Sequence, residues 1–158
     1  KGVVDTSDGT GKGKLLNASH TRLYFPSGLD IDPGNGDLYV ADGYGNARVH
    51  RFTADGRLLL SWGDPGDGPG QFHLPHGIAV DYKNKLMFVS NHGNSIVTST
   101  SSGKFEPPSI TVYPLNAQGD TAPLRVIRSA PLNMPAPMMG NPHPVAYDTK
   151  RDQILVPN

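Results

Sequence analysis

The stretch "PSGLDIDPGNGDLYVAD", residues 26 to 42, decides the fold. It leaves a proline, alternates through Leu29 and Ile31 to Asp32, turns on "PGNG", and runs on through "LYVAD". Alternation with a period of two marks a half-buried strand, and a polar, glycine-rich turn between two such runs makes a hairpin. The plan returns in "PHGIAVD", residues 75 to 81, and "PHPVAYD", residues 142 to 148. Each first run ends on an aspartate: Asp32, Asp81 or Asp148. Each second run ("LYVAD", "MFVSN", "ILVPN") closes at the same distance from its proline, at Asp42, Asn91 and Asn158. Three copies in one register are a structural repeat, so the recurring aspartates are expected to stabilise turns.

Further strand-like runs follow the hairpins. After the first come "ARVHRF" and "RLLLSW", in which Leu58, Leu60 and Trp62 are expected to share one face. After the second come "SITVYPL" and "LRVIRS", with an insertion near 98 to 108. Four short strands per period of about 40 to 50 residues is a propeller blade. The expected fold is all-β, a partial β-propeller of about two and a half four-stranded blades out of about six. Residues 1 to 22 form a polar segment or the end of a preceding blade, 23 to 73 and 74 to 130 a blade each, and 131 to 158 the first hairpin of a further one. An open blade exposes a strand edge, so the strand around 154 to 156 is expected to pair with two strands from elsewhere, on the rest of the propeller or on another chain. The glycine-rich "GDPGDGPGQF" reads as a crossing loop, because no Lys-Ser/Thr follows it to make a phosphate loop.

Composition narrows the function. Fourteen basic residues balance 14 acidic ones, so no whole-chain field favours nucleic acid. Without cysteine the chain has no disulfide, thiolate zinc site or haem attachment of its own. No apolar run approaches the roughly 20 residues that span a bilayer. The polar start, without an initiator Met, is expected to be a cut or processed end.

The pattern P-x-G-[LI]-x-[IV]-D, followed by the "LYVAD" run, "NARV" and "WG…GPGQF", resembles the NHL-repeat β-propellers over residues 23 to 97 and more loosely over 110 to 158. The latter part looks like divergent NHL-like repeats of bacterial secreted proteins, which implies an extracellular or periplasmic setting. Residues 39 to 81 look most like the peptidylamidoglycolate lyases, through "ADGYGNARV" and "GQFHLPH". That resemblance implies Tyr44 as a catalytic tyrosine and His76 as one of three zinc ligands. His143 stands at the equivalent repeat position and is the second metal candidate, although the lyases space these ligands two periods apart. The third ligand is not visible, and "SNHGNSI" lacks an arginine that the lyases carry there.

Three functions follow. The first is a noncatalytic binding or scaffolding propeller, exported, working through a loop face with Tyr44, Arg48 and His92 as ligand contacts. The second is a zinc-dependent lyase of the peptidylamidoglycolate type, in which Tyr44 and His76, with His143 as the further metal candidate, act with residues outside this chain. The third is RNA binding, against which zero net charge counts. No cofactor is firmly implied, with zinc and calcium as the candidates. Asp42 is expected to accept hydrogen bonds from nearby backbone N–H groups, Arg48 to pair with an acidic neighbour or lie across the blade face, His50 and His73 to lie on the surface, and Trp62 to pack between blades.

Overall fold

A computed structural model describes residues 19–66, 68–92, 108–128 and 142–157. The first sheet runs β1 (Gly28–Ile31), β2 (Leu38–Asp42), β3 (Arg48–Phe52) and β4 (Leu58–Trp62), antiparallel and in chain order. The crossing loop contains a short parallel pair, β5 (Asp64–Pro65) and β6 (Gln71–Phe72). The second sheet holds β7 (Pro75–Asp81), β8 (Leu86–Asn91), β9 (Ser109–Pro114) and β10 (Arg125–Ile127), also in chain order. The third copy forms the hairpin β11 (Ala146–Asp148) and β12 (Gln153–Leu155). The anticipated insertion falls almost wholly outside the described residues.

Each hairpin turn has the same construction. Asp32 Oδ1 accepts the backbone N–H of Gly34 at 2.8 Å. Asp81 Oδ1 accepts those of Lys83 and Asn84 at 3.1 Å, and Asp148 Oδ1 those of Lys150 at 2.9 Å and Arg151 at 3.2 Å. The recurring aspartates are turn residues. The last turn position is left-handed in every copy: Gly36 (φ 79°), Lys85 (φ 58°) and Asp152 (φ 55°). Only glycine takes that conformation without a Cβ clash. Lys85→Gly is therefore expected to leave stability unchanged or raise it by up to about 1 kcal/mol, the relief of strain offsetting the looser unfolded chain. Urea denaturation measures it, and a clear loss would mean that the lysine side chain holds the turn.

Packing between copies repeats too. Ile78, Val80, Met87 and Val89 of the second sheet bury against Tyr39, Ala41, Val49 and Trp62 of the first. In the same register Val145, Tyr147, Ile154 and Val156 cover Ala79, Phe88, Ile110 and Val112 on the far face of the second sheet. These are blade-on-blade contacts. Glycine makes them close: a Cβ on Gly28 would meet the His76 carbonyl oxygen at 2.7 Å, and one on Gly77 that of His143 at 2.6 Å. Hydroxyls tie the same seams, with Ser27 Oγ donating to Pro75 O and Ser90 Oγ to His143 O, both at 2.9 Å. Asp30 adds a third link by accepting the Val80 N–H at 2.8 Å.

One expected face is wrong. Leu60 and Trp62 join the core between the sheets, but Leu58 packs with Val40 and Phe52 on the opposite face. Arg51 pairs with Leu60 and Phe52 with Leu58, so Leu59 is bulged out and the alternation slips by one.

Candidate functional site

Strands β1 and β7 start, and β2 and β8 end, at one end of the sheets, and four predicted residues meet there. Tyr44 sits in the loop after β2, His76 is the second residue of β7, His92 follows β8, and His143 precedes β11.

The Tyr44 loop is held by a buried polar hub. Asp42, fully buried, accepts the Tyr24 backbone N–H on both oxygens at 3.0 and 2.9 Å, Asn46 Nδ2 at 2.6 Å and His50 Nε2 at 3.2 Å. The backbone group it holds lies 18 residues away, so its role is to fasten the chain entering β1 to the loop leaving β2. Asn91 repeats this one copy later, accepting the His73 N–H at 3.2 Å. The flanking glycines now have a reason. A Cβ on Gly43 would meet Pro75 O at 2.1 Å, and one on Gly45 would enter the Tyr24 ring at 1.9 Å. "DGYGN" is thus a loop pressed between neighbours, with only the Tyr44 side chain turned outward.

Tyr44 Oη lies 2.8 Å from His76 Nε2, with the rings edge to face at a centroid distance of 5.2 Å. His76 Nδ1 lies 3.2 Å from the His143 carbonyl oxygen. A carbonyl only accepts, so Nδ1 carries the proton of the neutral ring, and bare Nε2 accepts from the Tyr44 hydroxyl. The His143 ring meets His76 at 4.3 Å and His92 at 4.6 Å between centroids, edge to face in both cases, and the Nε2 atoms of His92 and His143 lie 3.1 Å apart. Burial holds His76 below the usual histidine range, and the neighbouring His143 and His92 push it further down. A neutral ring that accepts the phenol proton leaves Tyr44 Oη poised to hydrogen-bond a ligand, or to exchange a proton with one.

The fit to zinc is partial. A tetrahedral zinc at about 2.0–2.1 Å from each nitrogen sets its ligands roughly 3.3 Å apart, close to the separation of His92 and His143. His76, in contrast, engages one nitrogen with Tyr44 and the other with a carbonyl. Among the described residues no group of three His, Cys, Asp or Glu is disposed to hold a metal, and no step is derived through one.

Arg48 does not join this cluster. It is buried, with its terminal nitrogens 3.0 and 3.1 Å from the His20 ring and 3.4 Å from Asp64 Oδ1, so it pairs with an acid as expected and is already engaged. His50 is not a surface residue: it is fully buried against Asp42 and stacks near Phe52. His73 is half-buried. The contributions of Asn46, Tyr24 and Ser90 were not anticipated. The shared register of Asp42 and Asn91 was the available signal for an end-of-strand anchor.

Comparison with known proteins agrees with this architecture. The NHL repeat family profile matches residues 23–52. Over 100 residues the chain is 28% identical to "Peptidyl-glycine alpha-amidating monooxygenase B" of Xenopus laevis, covering 60% of this chain and 10% of that protein. It is 31% identical over 97 residues to "Probable peptidyl-alpha-hydroxyglycine alpha-amidating lyase pgal-1" of Caenorhabditis elegans, covering 60% of this chain and 28% of that one. The chain thus spans only a minor part of these relatives. In shape it is similar to the WD40 beta propeller domain of Doa1, with a TM-score of 0.50 at 12% identity over 83% of this chain and 33% of that one. With its matched repeat at residues 23–52, its antiparallel four-stranded sheets and its relatives, the chain is a β-propeller segment that carries an NHL repeat.

Proposed function

We propose that the chain supplies part of the ligand-binding mouth of an NHL propeller, at which Tyr44, His76, His92 and His143 meet the ligand. The observation that carries this is the 2.8 Å contact between Tyr44 Oη and His76 Nε2 at the edge of three packed imidazoles. Four aromatic polar side chains from four segments, brought to one end of the sheets, offer stacking faces and hydrogen-bonding atoms together. In this reading residues 23 to 73 and 74 to 130 are successive blades. Their neighbours are the remainder of the propeller or another chain, in an extracellular or periplasmic setting.

A second reading makes the mouth catalytic, as a lyase acting on peptidyl-α-hydroxyglycine. The Tyr44–His76 pair supports it, as do relatives whose names state that activity. Zinc, if bound, would polarise a ligand oxygen, with His92 and His143 as the ligands this chain offers.

One probe tests both readings: a peptide ending in α-hydroxyglycine, titrated against the chain by calorimetry and assayed for conversion to the amide. Binding is expected to saturate and to weaken about tenfold in His76→Phe, the change expected when an interaction of about 1.4 kcal/mol is lost. Conversion that is lost in Tyr44→Phe would select the lyase. Binding indifferent to both substitutions would place the ligand site elsewhere.

A further inference from the structure

We propose that a small polar pocket between the crossing loop and the second sheet binds a carboxylate group, held by Gln71, Ser109, Tyr113 and Arg128. The pocket has a volume of about 40 Å³. None of Tyr44, His76, His92 or His143 lines it, so the site is separate from the mouth. The Tyr113 hydroxyl is the group that calls for a ligand. Tyr113 is fully buried, and its Oη has no hydrogen-bond partner among the described residues. Its ring is fixed between Trp62 at 5.1 Å and Phe72 at 5.6 Å. Thr111 beside it is already engaged, its Oγ1 donating to Val89 O at 3.4 Å and accepting from Asn91 Nδ2 at 3.0 Å. Burial pushes the Tyr113 phenol up to about 12, so it keeps its proton at neutral pH and remains a donor without an acceptor. A buried donor in that state is costly unless something accepts from it.

The groups around it are donors too. Gln71 Oε1 accepts the Gly68 N–H at 2.7 Å, which sets the amide and leaves Nε2 as a donor with no partner among the described residues. The crossing loop makes room for this side chain, since a Cβ on Gly66 or Gly68 would collide with Gln71 Oε1. The glycines of "GDGPGQF" thus do more than connect two sheets. Ser109 at the start of β9 and Arg128 just past β10 border the same pocket. Neither side chain has a hydrogen bond or ion pair among the described residues. By contrast Arg48, Arg51 and Arg151 are each held by an aspartate. Among the described residues no aspartate or glutamate lines the pocket. Donors converging on a site free of carboxylates select an anionic acceptor. One permanent cation balances a single negative charge, and the volume admits about three water-sized groups, the size of a carboxylate rather than a phosphate. Pro123 and Val126 give an apolar border to the chain that carries it.

The test titrates acetate against the 158-residue chain at about 1 μM, dilute enough to limit self-association, with chloride holding the ionic strength constant. Emission of Trp62, the only tryptophan and in contact with Tyr113, and amide hydrogen exchange at 109 to 113 are the two readouts. Saturation is expected in emission, with slowed exchange. Tyr113→Phe, which removes only the hydroxyl, and Arg128→Gln should each raise the midpoint about tenfold. N-acetylglycine presents a terminal carboxylate and N-acetylaspartate α-methylamide a side-chain one, so the tighter binder assigns the source as a chain end or an acidic side chain. Equal responses to acetate, phosphate and chloride would mean an adventitious ion only and would overturn the proposal. So would a midpoint that Tyr113→Phe leaves unchanged, which would mean that the hydroxyl bonds to a buried water, or the absence of saturation in both readouts. A variant counts only if its circular dichroism matches the parent's, and the parent's preference for acetate over phosphate tests the proposal without any variant.

Discussion

Trp62→Ala is expected to destabilise the fold by about 3–5 kcal/mol while leaving ligand recognition at the Tyr44–His76 mouth unchanged. Trp62 is 4% exposed and pairs with Val49 across the sheet. Its ring packs at 5.0 Å from Phe72 in the crossing loop and at 5.1 Å, edge to face, from Tyr113 of the second sheet, and these two rings lie 5.6 Å apart. The triad ties the first sheet, the loop and the second sheet into one contact. Removing its central member leaves a cavity walled by two hydrogen-bonded sheets, which cannot collapse to fill it. This is the only tryptophan of the chain, so unfolding must be followed by circular dichroism rather than indole emission. A loss under about 1 kcal/mol would show that the sheets are held by other contacts.

The repeat made much of this legible. A proline, an alternating run, an aspartate and a second run in fixed register predicted three hairpins, and the register also forecast that His76 and His143 would meet beside Tyr44 and His92. What the pattern could not carry was anything that depends on two strands failing to stay in step. Leu58 changed face because one extra residue, Leu59, is accommodated opposite Arg51 and Phe52, a choice made by packing rather than composition. His50 looked like a surface residue because its polarity, not its partner, is visible in sequence. Only the fold brings Asp42 to it and so makes a buried imidazole affordable. Arg48 finds an acidic partner, but which one was not legible: its place beside His20 and Asp64 is made by the fold. The motif glycines are the opposite case. Their recurrence was plain, but their cause, a neighbouring strand within van der Waals contact, belongs to the assembled blades.

That cause bears on how the chain behaves in solution. The face that Ile78, Val80, Met87 and Val89 bury against the first sheet has its counterpart in Leu29, Ile31, Leu38 and Val40 on the first sheet itself. There no sheet among the described residues covers it: Leu29 is 63% and Ile31 52% exposed, and Leu23, Leu29, Leu38 and Val40 line an apolar groove. A surface shaped to receive a blade associates when none is supplied. The opposite end is less inviting. Pro144 replaces the close-approach glycine of the earlier copies, and its ring occupies the space into which a neighbouring carbonyl would fit. The 158-residue chain is therefore expected to self-associate at about 10 μM and above, through the first sheet rather than the third hairpin. Sedimentation velocity should show the oligomers dispersing in a Leu29→Glu, Ile31→Lys variant and persisting in Leu155→Lys, although Leu155 is 53% exposed. A parent chain that sediments as one sharply melting monomer would mean that the first sheet's apolar face is already satisfied, and the inference that it receives another blade would have to be abandoned.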